Sequence, residues 1–210
     1  MFYFPNLNIV YCPIERTASR SVQKYFFDHD SSGYITNSVY RHICDPSTLN
    51  GLNPEKIYIS TRHPWNRFCS MFAADQLKIN AGFNVFWSTI DEYLDFYAHY
   101  SSAPFLLGGN TQVENLTAPH AKLINGDSVC HFYRSQSYYF DALHDFTLVK
   151  IKYEALSEIT QQSWSNPNIS VEHIGQTNNE VNSLWTLERE NKLKSFWSSD
   201  YVGYDNWEVV

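Results

Sequence analysis

Apolar and polar positions along the chain set short strand-like runs against helix-like ones. Leu7–Tyr11 is a brief apolar, β-prone run, and the polar turn Pro13–Arg20 follows it. Within Ser21–Phe27, Val22, Tyr25 and Phe26 recur at the spacing that gathers them on one helical face. Thr17 or Ser19 stands where it can cap that helix. Ser31–Pro54 reads as loop-rich. Lys56–Ser60 is a second strand, and it too leads through a polar turn into a helix, Trp65–Leu77. Asp91–Tyr100 has a helical pattern. Ser101–Asn125, rich in Pro, Gly, Asn and Thr, reads as an irregular insertion of the kind that often shapes a binding site. Phe146–Lys152 is a third strand, and Ala155–Gln162 and Leu184–Trp197 close the series as helices. Strands alternating with helices predict an α/β fold: one domain over residues 1–210, with a central, mainly parallel sheet flanked by helices.

Composition narrows the function classes. At 43% hydrophobic and 18% charged residues the chain can bury a core and does not read as disordered. Aromatics make up 17%, enough for broad stacking surfaces. The 22 acidic residues outnumber the 15 basic ones, for a net charge of −7. That balance argues against a duplex-coating nucleic-acid binder and against a polybasic membrane anchor, both of which need surplus positive charge. It leaves room for one small anionic ligand held by a few well-placed arginines. No run of 18 apolar residues offers a transmembrane segment, and the first ten residues lack the basic start and cleavage site of a secretion signal. Cys12, Cys44, Cys69 and Cys130 lie far apart, without a Cys-x-x-Cys, and read as reduced, mostly buried thiols. The expectation is a cytoplasmic protein.

Two segments carry candidate chemistry. The first is Arg16-Thr17-Ala18-Ser19-Arg20-Ser21-Val22, between the first strand and the first helix. Small and hydroxylated residues let main-chain N–H groups close around a phosphate, the helix N-terminus adds partial positive charge, and arginine adds full charge. The loop has no glycine and no Gly-Lys-Ser/Thr, so it is not a Walker A site. By itself such a turn is more often an ordinary helix cap than a phosphate site. The second segment is Arg62-His63-Pro64-Trp65-Asn66-Arg67-Phe68-Cys69-Ser70-Met71-Phe72. Arg62 closes the strand, Pro64 suits the first helical turn, and Arg67 and Ser70 share a helix face. A strand-end Arg with a helix Ser can grip a second phosphate; alone, the segment also reads as a capped helix with a surface Arg.

Together these segments resemble the P-loop-like sulfotransferases that use 3′-phosphoadenosine 5′-phosphosulfate (PAPS), in particular their carbohydrate and uronyl branch. Arg16–Val22 is the counterpart of the family's Pro-Lys-Thr-x-x-Thr-Ser-like loop, with Arg16 at the catalytic Lys position. Arg62–Phe72 matches the family's Arg-Asp/Asn-Pro-x-x-Arg-x-x-Ser-x-Tyr/Phe at every specified position except His63. Weaker similarities keep the family's order: Val149–Leu156 with its late strand and Tyr-Glu-x-Leu, Glu172–Asn178 with its His-x-Asn segment, and Asp200–Tyr204 with its C-terminal Asp-Tyr…Gly-Tyr. The resemblance spans roughly residues 7–205.

The resemblance implies a P-loop NTPase-like sulfotransferase fold and transfer of a sulfuryl group from PAPS to a hydroxyl, with 3′-phosphoadenosine 5′-phosphate (PAP) leaving. It implies that Arg16, Thr17, Ala18, Ser19, Arg20 and Ser21 hold the 5′ end and that Arg62 and Ser70 hold the 3′-phosphate. Arg16 would stabilise the leaving phosphate but, unlike a Lys, cannot donate a proton to it at neutral pH. His42 corresponds to the segment that carries the base in uronyl relatives, and His131 opens a stretch similar to the family's His-x-x-Pro-Gln, one residue longer and without the Pro. Either histidine suits a general base at neutral pH. No metal is implied. The acceptor is expected to be a small molecule or a glycan, since a heavily sulfated polyanion fits a negative protein poorly; oligomeric state is left open. Two other readings remain: a P-loop kinase-like enzyme, and a non-catalytic descendant that binds nucleotide or glycan.

Overall fold

A computed structural model describes residues 1–36, 44, 46–80, 87–100, 135–156 and 181–205. Two compact units divide the chain: Met1–His63, Arg134–Gln176 and Val202–Val210 form the first, Pro64–Tyr133 and Thr177–Tyr201 the second.

The first unit is built on a five-stranded sheet in the order β3-β1-β2-β4-β5. The strands are β1 (Phe2–Phe4), β2 (Ile9–Cys12), β3 (Tyr34–Ile35), β4 (Lys56–Thr61) and β5 (Leu148–Lys152). β2, β4 and β5 are parallel neighbours, whereas β1 pairs antiparallel with both β2 and β3. The sheet is therefore mixed, which corrects the expectation of a mainly parallel one. The cause is local. Pro5–Asn8 closes a tight turn with Leu7 N donating to Phe4 O and Asn8, at φ 51°, entering the left-handed region. That turn makes β1 and β2 a hairpin, and hairpins are antiparallel.

β2 is buried along its whole length, as a strand covered on both faces must be. Its alternate residues serve two clusters. Ile9 and Tyr11 pack with Val22, Tyr25 and Phe26 of α1 (Ser19–His29), while Val10 and Cys12 pack with Ile57 and Ile59 of β4 and with Tyr139 and Leu143. Tyr139 lies on α4 (Gln136–Ala142), and Ser135 Oγ caps that helix by accepting from Tyr138 N. The loop between α1 and β3 passes so close to Phe4 that a Cβ on Gly33 would lie 2.5 Å from its ring.

In the second unit α2 (Pro64–Asn80), α3 (Ile90–Tyr100), α5 (Val181–Leu184) and α6 (Leu187–Phe196) supply an aromatic core. Phe68 meets Tyr93, Tyr97 and Trp197 in tilted and edge-to-face contacts. Such pairs each add about 0.5–1.5 kcal/mol beyond the area they bury. On the outer side Arg189 forks onto Asp91 through Nε and Nη2, joining α6 to α3. α7 (Ser198–Asp205) follows. The insertion expected at 101–125 and most of the helix expected at Ala155–Gln162 lie outside the described residues. Among those described, no helix is long and apolar enough to cross a membrane.

Candidate functional site

The carboxyl ends of the three parallel strands each release a polar segment, and this is where open α/β sheets place their ligands. β2 leads into Pro13–Ala18, β4 into Arg62-His63, and β5 into Tyr153–Ala155, a single 3₁₀ turn.

The segment after β2 holds two non-glycine residues at positive φ, Arg16 at 65° and Ala18 at 58°. For L-residues this region costs about 1–2 kcal/mol each, so the surrounding structure must impose it. A hydroxyl relay does so. Thr17, fully buried, donates its Oγ1 proton to Ile14 O at 2.7 Å, so toward Ser60 Oγ at 2.6 Å it must accept. Ser60 then spends its own proton on Thr17 and accepts from Tyr11 OH at 2.8 Å. The chain Tyr11→Ser60→Thr17→Ile14 O runs from β2 through β4 into the loop, and Tyr11 OH also reaches Ser19 O at 3.3 Å. Burial pushes the Tyr11 phenol up, above its ordinary range, so it keeps its proton.

α1 begins without the expected side-chain cap. Ala18, left-handed, occupies the N-cap position and makes no side-chain cap hydrogen bond. Thr17 is turned inward to the relay, and Ser19 and Ser21 are buried. The N–H groups that open every helix thus have no capping side chain at the N-cap position of α1. Arg20 is exposed on the first turn and Arg16 is half-buried.

Arg62 is held at the first unit's carboxyl edge from several sides. Its N–H donates to Gln136 Oε1 and its carbonyl accepts from Gln136 Nε2, both at 2.8 Å, so a fully buried amide side chain stands in for a neighbouring strand. Its guanidinium lies 4.2 Å from the Tyr153 ring centroid, and Nη1 donates to Arg16 O at 3.4 Å. The two arginines singled out from sequence therefore belong to one neighbourhood: the side chain of Arg62 touches the backbone of Arg16. Next to them His63 N donates to Glu154 Oε1 at 3.0 Å, and its ring meets Tyr204 edge-on at 5.2 Å. Burial first, then the Glu154 carboxylate to which it is hydrogen-bonded, pushes the Tyr204 phenol up. Lys152 Nζ sits 4.8 Å from the Tyr204 ring centroid.

In the second unit, Arg67 and Ser70 of α2 are both buried, Arg67 completely, with its guanidinium 5.3 Å from the Trp197 ring centroid. The surface arginine offered as the plain reading of that helix is thus a core residue. His42 and His131 lie outside the described residues, as do Cys130 and Glu172–Asn178. No cluster of three metal-ligating side chains occurs among the described residues. Sequence reasoning missed Tyr11 and Ser60, which read as ordinary strand residues. It touched Gln136 only as the end of the His-x-x-Pro-Gln-like stretch. Comparison with known proteins gives no matching family model, no matching curated protein and no matching solved structure.

Proposed function

We propose that this chain is a PAPS-dependent sulfotransferase of P-loop-like fold that moves a sulfuryl group to a hydroxyl, with a small molecule or a neutral glycan as acceptor. One observation carries the reading: the guanidinium of Arg62, after β4, is anchored to the carbonyl of Arg16 in a strained, uncapped loop after the adjacent parallel strand β2. A backbone held in the left-handed region at two of three positions points to function, and alternation of backbone hand near a helix start makes a concavity for anions.

In this reading the main-chain amides opening α1 hold the 5′ end of PAPS, and Arg16 and Arg20 neutralise charge as it builds on the leaving phosphate. Transfer of this kind rests chiefly on positioning and charge stabilisation. Thr17 contributes through the backbone, because its hydroxyl is committed to Ile14 and Ser60. Arg62 is assigned to the 3′-phosphate, and His42 and His131 are the candidate bases by the family resemblance.

The test is calorimetry with PAP, ATP and AMP, followed by transfer of labelled sulfate from PAPS to a panel of hydroxylated acceptors. Preference for PAP with transfer is the expected result. Preference for ATP would point to a kinase-like enzyme, and PAP binding without transfer to any acceptor would point to a binding protein that has lost the chemistry.

A further inference from the structure

We propose that the amino edge of the sheet holds a second binding site, an aromatic corner between α1 and β4 that takes a neutral saccharide ring. The proposal stands apart from the function proposed above and holds whether or not the carboxyl edge binds a nucleotide.

A cavity of about 330 Å³ opens where the last turn of α1 faces the first residues of β2 and β4. Ligand pockets begin at about 300 Å³, so it has room for a small molecule. Strand register places it. Ile9 pairs with Lys56 and Tyr11 with Tyr58. Alternate strand residues share a face, so Ile9, Lys56 and Tyr58 all stand on the α1 side of the sheet. From α1, Tyr25 and His29 are one turn apart and stack, with ring centroids 4.0 Å apart. β4 runs from Lys56 to Thr61, which at about 3.3 Å per residue puts this cavity about 16 Å from the edge that carries Arg62. All of its lining belongs to the first unit.

The walls select the shape of the occupant. Their rings meet at steep angles, Tyr25 to Phe26 at 84° and Phe26 to Tyr58 at 61°. Tyr25 and His29 are nearly parallel but already in contact, so these rings frame no slot for a flat aromatic ligand. A corner of this kind suits a puckered ring that presents C–H bonds on more than one side.

The rim selects its polarity. It carries one cation and one anion, with Lys56 Nζ 3.6 Å from Glu55 Oε1. Their charges cancel, so the rim favours neither an anion nor a cation. The two side chains are 44% and 66% exposed, and an ionic ligand would shed its own hydration for partners screened by solvent. A hydroxyl both donates and accepts, so the same pair serves a polyol: Lys56 donates to it and Glu55 accepts from it. His29 adds a third position. Its Nδ1 lies 2.8 Å from Tyr25 O, and because a carbonyl only accepts, Nδ1 carries the proton and Nε2 of the neutral ring accepts. Burial, with a smaller contribution from Tyr58, pushes the Tyr25 phenol up to about 12, so that wall also stays uncharged.

The experiment presents the full chain with methyl glucoside, methyl galactoside, methyl mannoside and N-acetylglucosamine, each titrated into the millimolar range and followed by saturation-transfer NMR. Binding of at least one of these sugars is expected, with protection from hydrogen exchange centred on residues 7–9, 25–29 and 55–58. His29→Ala and Glu55→Ala, at exposed positions, should each weaken that sugar by about tenfold, the scale of a hydrogen bond to a charged or aligned group. Glu55→Gln, which keeps an acceptor oxygen, should retain most of the affinity, and Arg62→Ala should leave it unchanged. Phenylalanine, indole and glucuronate supply the competing chemistries of a zwitterion, a flat neutral ring and an acid. Tighter binding of any of these three than of every neutral sugar overturns the ligand class. Absence of any sugar signal overturns the site, as does sugar affinity that falls in Arg62→Ala or survives unchanged in both His29→Ala and Glu55→Ala.

Discussion

Arg62 shows how a single charged side chain becomes a tool. Backbone pairing with Gln136 fixes where the residue sits, the Tyr153 ring fixes the plane of the guanidinium, and the Arg16 carbonyl takes one of its five donors. A guanidinium held this way loses little freedom when it grips a phosphate, which is where arginine exceeds lysine. Arg62→Ala is expected to weaken PAP binding by about 2–5 kcal/mol, the scale of removing one partner from a buried charged pair. Arg62→Lys should recover only part of that, since it restores charge without the fork. Calorimetry on variants with unaltered circular dichroism decides the matter, and wild-type affinity in Arg62→Ala would remove the residue from the site. Gln136 makes a different prediction, on stability. Gln136→Met keeps the volume and orphans the Arg62 N–H and carbonyl, each at a cost of about 1–3 kcal/mol. Urea unfolding should show that loss together with weaker PAP binding; a loss of stability with affinity intact would make Gln136 a brace for the fold alone. Arg16 and Arg62 were visible in the sequence because each stands in a polar turn between an apolar run and a helix. Gln136 was not, because its partner is 74 positions away and no local pattern links an amide to a strand end.

Among the elements, those with strong periodicity came through and those held by a few side chains did not. β4 and α2 run as Lys56–Thr61 and Pro64–Asn80 where the pattern gave Lys56–Ser60 and Trp65–Leu77, because a six-residue alternating run and a long amphipathic one leave little choice. β1 escaped notice because three residues before a proline carry no measurable period, and β3 has two. The helix expected over Leu184–Trp197 is broken: α5 ends at Leu184 and Thr186 starts α6, accepting from Arg189 N. A capping Thr ahead of an acidic first turn is a start signal that the apolar spacing masked. At α1 the error ran the other way. Thr17 and Ser19 are good caps by type, but the relay through Ser60 takes the Thr17 hydroxyl and leaves Ala18 at the cap position. That competition yields a prediction at the level of the strand–loop–helix unit. Ser60→Ala removes the middle of the relay, taking from the buried Thr17 oxygen the proton it accepts and from the Tyr11 hydroxyl one of its two acceptors, for a loss of about 1–3 kcal/mol. The left-handed turns at Arg16 and Ala18 should relax with it, so amide exchange across residues 13–20 should accelerate more than in β4 itself. Equal acceleration in both would mean the relay stabilises the sheet and has no special hold on the loop.

Across the whole molecule the sign of the charge and the polarity of the sheet act together. The hairpin turn of β1 onto β2 makes the sheet mixed, yet it leaves β2, β4 and β5 parallel and in register, from Ile9 beside Lys56 to Thr61 beside Lys152. Parallel alignment gathers Arg16, Arg62 and Lys152 at one edge, although the chain as a whole carries −7. Under the proposed function, a multiply anionic nucleotide would approach against the net charge and be held by that local cluster. The two effects have different ranges. At an ionic strength of 0.01 M the Debye length is about 30 Å and the ligand feels the whole protein; at physiological salt it is about 8 Å and the ligand feels the cluster. Raising salt between those limits should therefore leave the association rate of PAP flat or higher, while dissociation quickens as the close contacts are screened. Stopped-flow measurement separates the two rates. A steep fall in association rate with salt would show a positive field reaching well beyond the edge, the behaviour of an electrostatically steered site, and it would remove the argument that favours a neutral acceptor over a sulfated polyanion.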